Sequence, residues 1–292
     1  MATSRRKDIN NDLRYFVKIG ILVLSFALLF FGGAFAETAS DAVDKGLSYE
    51  LDYKYDDAIT EYNKAIEIDP NYANAYFERG SLYYDQKNYD QAISDFTKAI
   101  EIDPNDKWTY LRRGLTYYDK GDYDSAISDY TRCIEIDPEF SKAYFERGYT
   151  YYDKMEYELA ISDYTKAIEI TPVYSAAYYE RGLAYYELAN NDQAIEDYTK
   201  AIEIDPKDKK AYYERGYIYI DKEDYYLAIN DLTSAIDIDP NYGDAYYERA
   251  YAYYYTADYD NAWNDVHKAE ALGVTGIATF LEKLKNASGR EE

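Results

Sequence analysis

The chain is poor in the groups that most enzymes need. Among its 292 residues there is one cysteine, Cys133, and one histidine, His267. A single cysteine excludes an internal disulfide and any metal site built on paired cysteines. A nucleophile–histidine arrangement would have to unite Cys133 with His267, far apart in the sequence. No glycine-rich stretch has the form of a phosphate-cradling loop, and acidic pairs such as Glu223-Asp224 lack the spacing of a dedicated calcium loop. Basic residues are scarce as well. The 32 Lys and Arg stand against 56 Asp and Glu, for a net charge of −24. Such a field repels phosphate backbones and argues against a nucleic-acid partner. Neither a cofactor nor a catalytic residue is expected.

Proline is also rare, and its placement is regular. The six prolines are Pro70, Pro104, Pro138, Pro172, Pro206 and Pro240, spaced 34 residues apart. A fixed period of this length marks stacked repeats. With proline as the thirty-second residue, repeats begin at Ala39, Ala73, Lys107, Ser141, Ser175, Lys209 and Gly243. The eighth position is Gly46, Gly80, Gly114, Gly148, Gly182 and Gly216, then Ala250. The eleventh is tyrosine and the twentieth alanine throughout, from Tyr49 to Tyr253 and from Ala58 to Ala262. The twenty-seventh is alanine except for Cys133, which reads as a small buried hydrophobe.

Apolar residues recur at helical spacing over positions 1–14 and roughly 17–31. Ala92, Ile93, Phe96, Ala99 and Ile100 are one such stripe, and short polar loops such as Lys120-Gly121-Asp122 separate the two stretches. Small residues at positions 8, 20 and 27 let two antiparallel helices approach closely, and tyrosines fill the remaining volume. Proline stops the second helix because it has no N–H and disfavours helix at the residue before it. A lone hairpin cannot bury its apolar face, so the units must stack. Position 7 is basic in every repeat, Lys45 and then arginine from Arg79 to Arg249, and position 23 is acidic from Glu61 to Asp265. These two series read as structural ion pairs on facing helices.

This pattern resembles the tetratricopeptide repeat, with an aromatic at position 4, Gly at 8, Tyr at 11, Ala at 20 and 27, and Pro at 32. The match spans 37–276 as seven repeats. Arginine at position 7 departs from the leucine usual in the family. The resemblance implies an all-α fold, a right-handed α-solenoid of stacked antiparallel hairpins. Beyond it, 277–287 reads as a capping helix, with Thr275 as its cap and Ile277, Phe280, Leu281 and Leu284 on one face. Residues 288–292 form a tail.

The first 36 residues are of different composition. Arg5, Arg6, Lys7, Arg14 and Lys18 precede an uncharged apolar run that ends in Ala34-Phe35-Ala36. This is the tripartite design of a secretory signal peptide, and its length also meets the lower edge of a membrane span. Residues 1–36 are therefore expected to be either a cleaved signal or a retained anchor, with membrane contact confined to them. Both fates put the repeats outside the cytoplasm: periplasmic or secreted in the first case, anchored in the second.

In the family, first helices line a concave groove, and the resemblance carries this role onto named positions here. Position 5 supplies Phe77, Leu111, Phe145, Tyr179, Tyr213 and Tyr247, and exposure is expected there. Position 6 supplies Glu78, Glu146, Glu180, Glu214 and Glu248, with Arg112 as the exception. Position 9 adds Tyr149 and Tyr217. The expected groove is tyrosine-lined and acidic, suited to a basic extended or helical protein segment. Part of the tyrosine, notably at position 12, alternatively packs between repeats. The functional expectation is a non-enzymatic interaction scaffold of the cell envelope. The alternative is a structural spacer that self-associates through its ends.

Overall fold

A computed structural model describes residues 36–290. The signal or anchor reading concerns residues outside that range, save Ala36. Among the described residues there are fifteen helices and no strand. None of these helices is long and apolar enough to cross a membrane.

The helices fall into two compact units that divide after Lys120. The first holds α1 (Ala39–Leu51), α2 (Tyr55–Ile68), α3 (Ala73–Asp85), α4 (Tyr89–Ile102) and α5 (Lys107–Lys120). The second begins with α6 (Tyr123–Ile136) and α7 (Ser141–Asp153). It continues with α8 (Tyr157–Ile170), α9 (Ser175–Glu187), α10 (Asn191–Ile204), α11 (Lys209–Asp221) and α12 (Tyr225–Ile238). It ends with α13 (Gly243–Tyr255), α14 (Tyr259–Ala271) and α15 (Ala278–Ser288). Within each unit a helix packs against the helix before it and the helix after it, as in α7–α8–α9. Repeat boundaries follow the 34-residue ruler, with helices at positions 1–13 and 17–30.

The small residues explain the packing. The position-20 alanines from Ala58 to Ala262 are 0 % exposed, and Cys133 is equally buried. A β-carbon added to Gly148 would lie 3.1 Å from the Tyr164 ring and 3.2 Å from the Ala160 carbonyl oxygen, so glycine is what admits the ring. Tyr62, Phe96, Tyr130, Tyr164, Tyr198 and Leu232, all at position 24, are fully buried against these gaps. Burying a side chain the size of Leu232 contributes about 1.5–3 kcal/mol.

The second helices of the first six repeats end in an extended residue before proline, as at Asp69 with φ −138° and ψ 98°, whereas that of repeat seven ends at Leu272 with φ −87° and ψ 2° and no proline follows. The turn inside each hairpin places position 15 in the left-handed region: Tyr53, Lys87, Met155, Ala189, Glu223 and Ala257 at φ 57–63°, and Gly121 at φ 86°. In the second unit the terminal helix buries Ile277, Phe280 and Leu284 and exposes Glu282, Lys283 and Lys285. Its start corrects one expectation. Ile277, not Thr275, occupies the cap position, because the chain turns at Gly276 with φ 82°.

Candidate functional site

The frame behind the expected groove is a network centred on the position-7 arginines. Arg181 donates from Nε to Asp197 Oδ2 at 2.8 Å and from Nη2 to Asp197 Oδ1 at 2.7 Å. Its remaining Nη1 donates to Thr165 Oγ1 of the preceding repeat at 2.9 Å. The same three bonds recur at Arg147, Arg215 and Arg249. In the first unit Arg79 grips Asp95, with Asn63 in the threonine's place. The guanidinium also lies over the position-4 ring, 5.6 Å from the Tyr178 centroid for Arg181. Burial pushes the Asp197 carboxyl up and the bond from Arg181 pulls it back, leaving it above the usual aspartate value. The ion pairs anticipated from sequence are therefore present. The link from each arginine to the preceding repeat was not anticipated, although Thr or Asn at position 25 in six repeats signals it.

The positions expected to line a groove divide. Phe77, Tyr179, Tyr213 and Tyr247 are half-buried, as are Glu78, Glu146, Glu214, Glu248, Tyr149 and Tyr217. Leu111 and Phe145 are only 1 % and 4 % exposed, and Glu180 only 4 %, which corrects the expectation that this row is open to a partner. Phe145 shows the cause. Its ring lies 5.7 Å from Tyr164 of its own repeat and 4.9 Å from Tyr174, the residue just before the next helix. Tyr213 repeats this with Tyr242 at 5.1 Å. Aromatics at position 34 thus fold over position 5, a role that sequence reading did not assign to them.

Position 12 is divided between packing and bonding. Tyr84 donates its hydroxyl to Asp119 at 2.8 Å, Tyr152 to Glu187 at 3.4 Å and Tyr186 to Asp221 at 3.1 Å. Each bond joins position 12 to the acid at position 13 of the next repeat. Where position 12 is Ile220, the next position 13 is Tyr255, which stacks on Tyr225 at 4.8 Å and shares a hydroxyl bond with Tyr251 at 3.1 Å.

The acidic row carries less charge than a residue count implies. Burial pushes Glu214 up to about 7, with the Tyr179 hydroxyl, 3.5 Å away, and Lys210 partly opposing it. Glu248 is also pushed up to about 7, by burial and then by Asp221 and Asp244. Among the described residues no cluster of three or more His, Cys, Asp or Glu is arranged to hold a metal ion.

The repeat geometry matches known proteins. Tetratricopeptide repeat profiles match residues 54–87, 73–106, 108–140, 149–189, 175–208 and 209–242. The chain belongs to the tetratricopeptide repeat family. The crystal structure of MamA is similar at 31 % identity and a TM-score of 0.53, over 55 % of this chain and 94 % of that one. YrrB, a tetratricopeptide repeat protein with an unusual peptide-binding site, is 24 % identical with a TM-score of 0.54, over 63 % of this chain and 95 % of its own. PilF of Pseudomonas aeruginosa is 18 % identical with a TM-score of 0.63, over 72 % and 97 %. The last two likenesses bear on the fold alone. No curated protein matches the chain significantly. The tetratricopeptide fold is in general that of an interaction scaffold, and no enzyme family is indicated.

Proposed function

We propose that this tetratricopeptide protein is a non-enzymatic scaffold that holds a basic, extended or helical protein segment against its first helices. The carrying observation is the recurrence, one repeat apart on α9, α11 and α13, of half-buried tyrosines at position 5 with acids at position 6. Tyrosine supplies wide contact area at little rotamer cost, and the carboxylates supply charge. The composition of residues 1–36 supports an exported scaffold of the cell envelope, in the periplasm, secreted, or anchored by those residues.

The test is a peptide array and an envelope pull-down with wild type and Glu146→Lys/Glu214→Lys, with helicity followed by circular dichroism. The reversed pair avoids Glu180, whose burial would confound the result. The expected outcome is weaker, less salt-sensitive capture of basic segments at unchanged helicity. Equal capture by both chains, or preference for acidic peptides, overturns the reading. The self-associating spacer is less well supported, because α15 covers its end of the second unit with an exposed Glu282, Lys283 and Lys285 face.

A further inference from the structure

Repeat seven departs from its neighbours where the groove is most acidic. In repeat six, Lys210 precedes Glu214 by one helical turn and eases its charge. In repeat seven the same place holds Asp244, one turn before Glu248. Asp221 of α11 adds a second carboxylate, so the charged side chains acting on Glu248 are both of like sign. Neither an ion pair nor a hydrogen bond joins Glu248 to another described side chain. Its electrostatic surroundings are otherwise aromatic: Tyr213, Tyr217, Tyr247 and Tyr251.

The fold itself shows what such an arrangement accommodates. Arg249 sits 5.5 Å from the Tyr246 ring centroid while two of its nitrogens bond the Asp265 carboxylate. Rings and two carboxylates act on Glu248 too, but among the described residues no guanidinium pairs with it. On α10, in the repeat before Glu214, a second polar group lacks a partner. The Tyr198 hydroxyl is buried without a hydrogen-bond partner, its residue is 0 % exposed, and Glu214 is the charged group that acts on it most strongly.

We propose that Glu248 and Glu214 seat two arginine side chains of one extended partner segment, three residues apart. This rests on the scaffold reading and names its ligand chemistry. Arginine is favoured over lysine because its planar fork both stacks on tyrosine and pairs a carboxylate. Charge complementarity agrees, since the chain carries 56 acidic and 32 basic residues. The spacing follows from packing. Helices α11 and α13 touch, which sets their axes about 8–10 Å apart. An extended chain advances about 3.3–3.6 Å per residue, so three residues span the two seats.

The experiment titrates the whole chain with acetylated, amidated Gly/Ser dodecapeptides that carry Arg-x-x-Arg, Arg-x-Arg, one Arg or Lys-x-x-Lys. Calorimetry reads the affinity. Arg-x-x-Arg is expected to bind roughly tenfold more tightly than the others. Glu248→Gln should lose about tenfold, and Glu214→Gln should reduce Arg-x-x-Arg to the single-arginine affinity. Asp244→Lys, which restores the pattern of repeat six, should raise the melting temperature and weaken Arg-x-x-Arg by no more than Glu248→Gln does, because the new ammonium competes with the ligand for Glu248 as Lys210 does for Glu214. Equal affinity for all spacings, or for lysine, overturns the paired arginine seats. Salt-sensitive binding of basic peptides that Glu248→Gln and Asp244→Lys leave intact overturns them too, while the scaffold reading stands. Loss of every basic peptide from the wild type removes both.

Discussion

Gly182 lies flat against Tyr198: a β-carbon at Gly182 would sit 2.8 Å from Cε1 of that ring. The corresponding pair in repeat seven is Ala250 and Val266, both 0 % exposed. The repeat whose glycine is replaced also has no ring at this place, while repeat six keeps Gly216 against Leu232, whose Cγ would lie 3.0 Å from an added β-carbon. Gly182→Ala is expected to destabilise by up to about 2 kcal/mol, overpacking exceeding the roughly 1 kcal/mol by which helices prefer alanine. In a Tyr198→Val background the sign should reverse, and alanine should raise the urea midpoint. The same destabilisation in both backgrounds would show that the ring is not what glycine accommodates.

Arg181 and Asp197 are 16 % and 6 % exposed at their side chains, more enclosed than a surface ion pair. Removing one member strands the other, so Asp197→Ala should cost about 3–5 kcal/mol. Arg181→Ala/Asp197→Ala should cost less than the sum of the single changes. Thr165→Val should cost about 1 kcal/mol through the lost bond between repeats. A double-mutant cycle in urea checks these figures, and strictly additive losses would contradict the bidentate pair.

Glu214 and Glu248 make stability depend on pH with a definite sign. Both are raised from 4.5 to about 7, so the folded chain binds more protons than the unfolded chain between those values. Their contribution to stability falls as pH rises through this window and is level above it. Glutamine imitates the protonated acid. Glu248→Gln should therefore stabilise by about 3 kcal/mol at most near pH 8 and change little near pH 4. Thermal melts at both pH values decide it, and an equal effect at each would remove the buried-carboxyl argument.

Met155 holds a left-handed turn at φ 61° with its side chain 74 % exposed. A side chain in this region costs about 1–2 kcal/mol, while glycine adopts it freely. Met155→Gly is expected to stabilise by up to about 1 kcal/mol, since no packing is lost. A lower urea midpoint would show that the turn depends on something other than backbone strain.

The prolines, the glycine–tyrosine gaps and the helix boundaries were legible in the sequence because each follows from the 34-residue period. The position-5 row was less so. Sequence fixes that Phe145 and Tyr179 share a helix face, but not that Tyr174 closes over Phe145. That contact depends on how far the next helix stands away. The charge of Glu248 was hidden for a related reason: a residue count gives full carboxylates, whereas burial and the company of Asp221 and Asp244 decide how many protons they keep.

The arginine network has a consequence for how this chain could change length. Arg181 binds Thr165 behind it, and Arg215 binds Thr199, with the same geometry at each step. Excision of residues 175–208 would bring Thr165 against Arg215 and leave a matched junction. Each boundary accepts the edge of any other repeat that carries the same two residues. Duplication or loss of a whole 34-residue block thereby leaves the remaining junctions intact and changes stability only by the contribution of one repeat and one interface. An insertion of one residue between Thr165 and Arg181 would break the bond that spans it while later pairs such as Thr199 and Arg215 keep their spacing, so edits in whole repeats leave every junction matched and fractional edits do not.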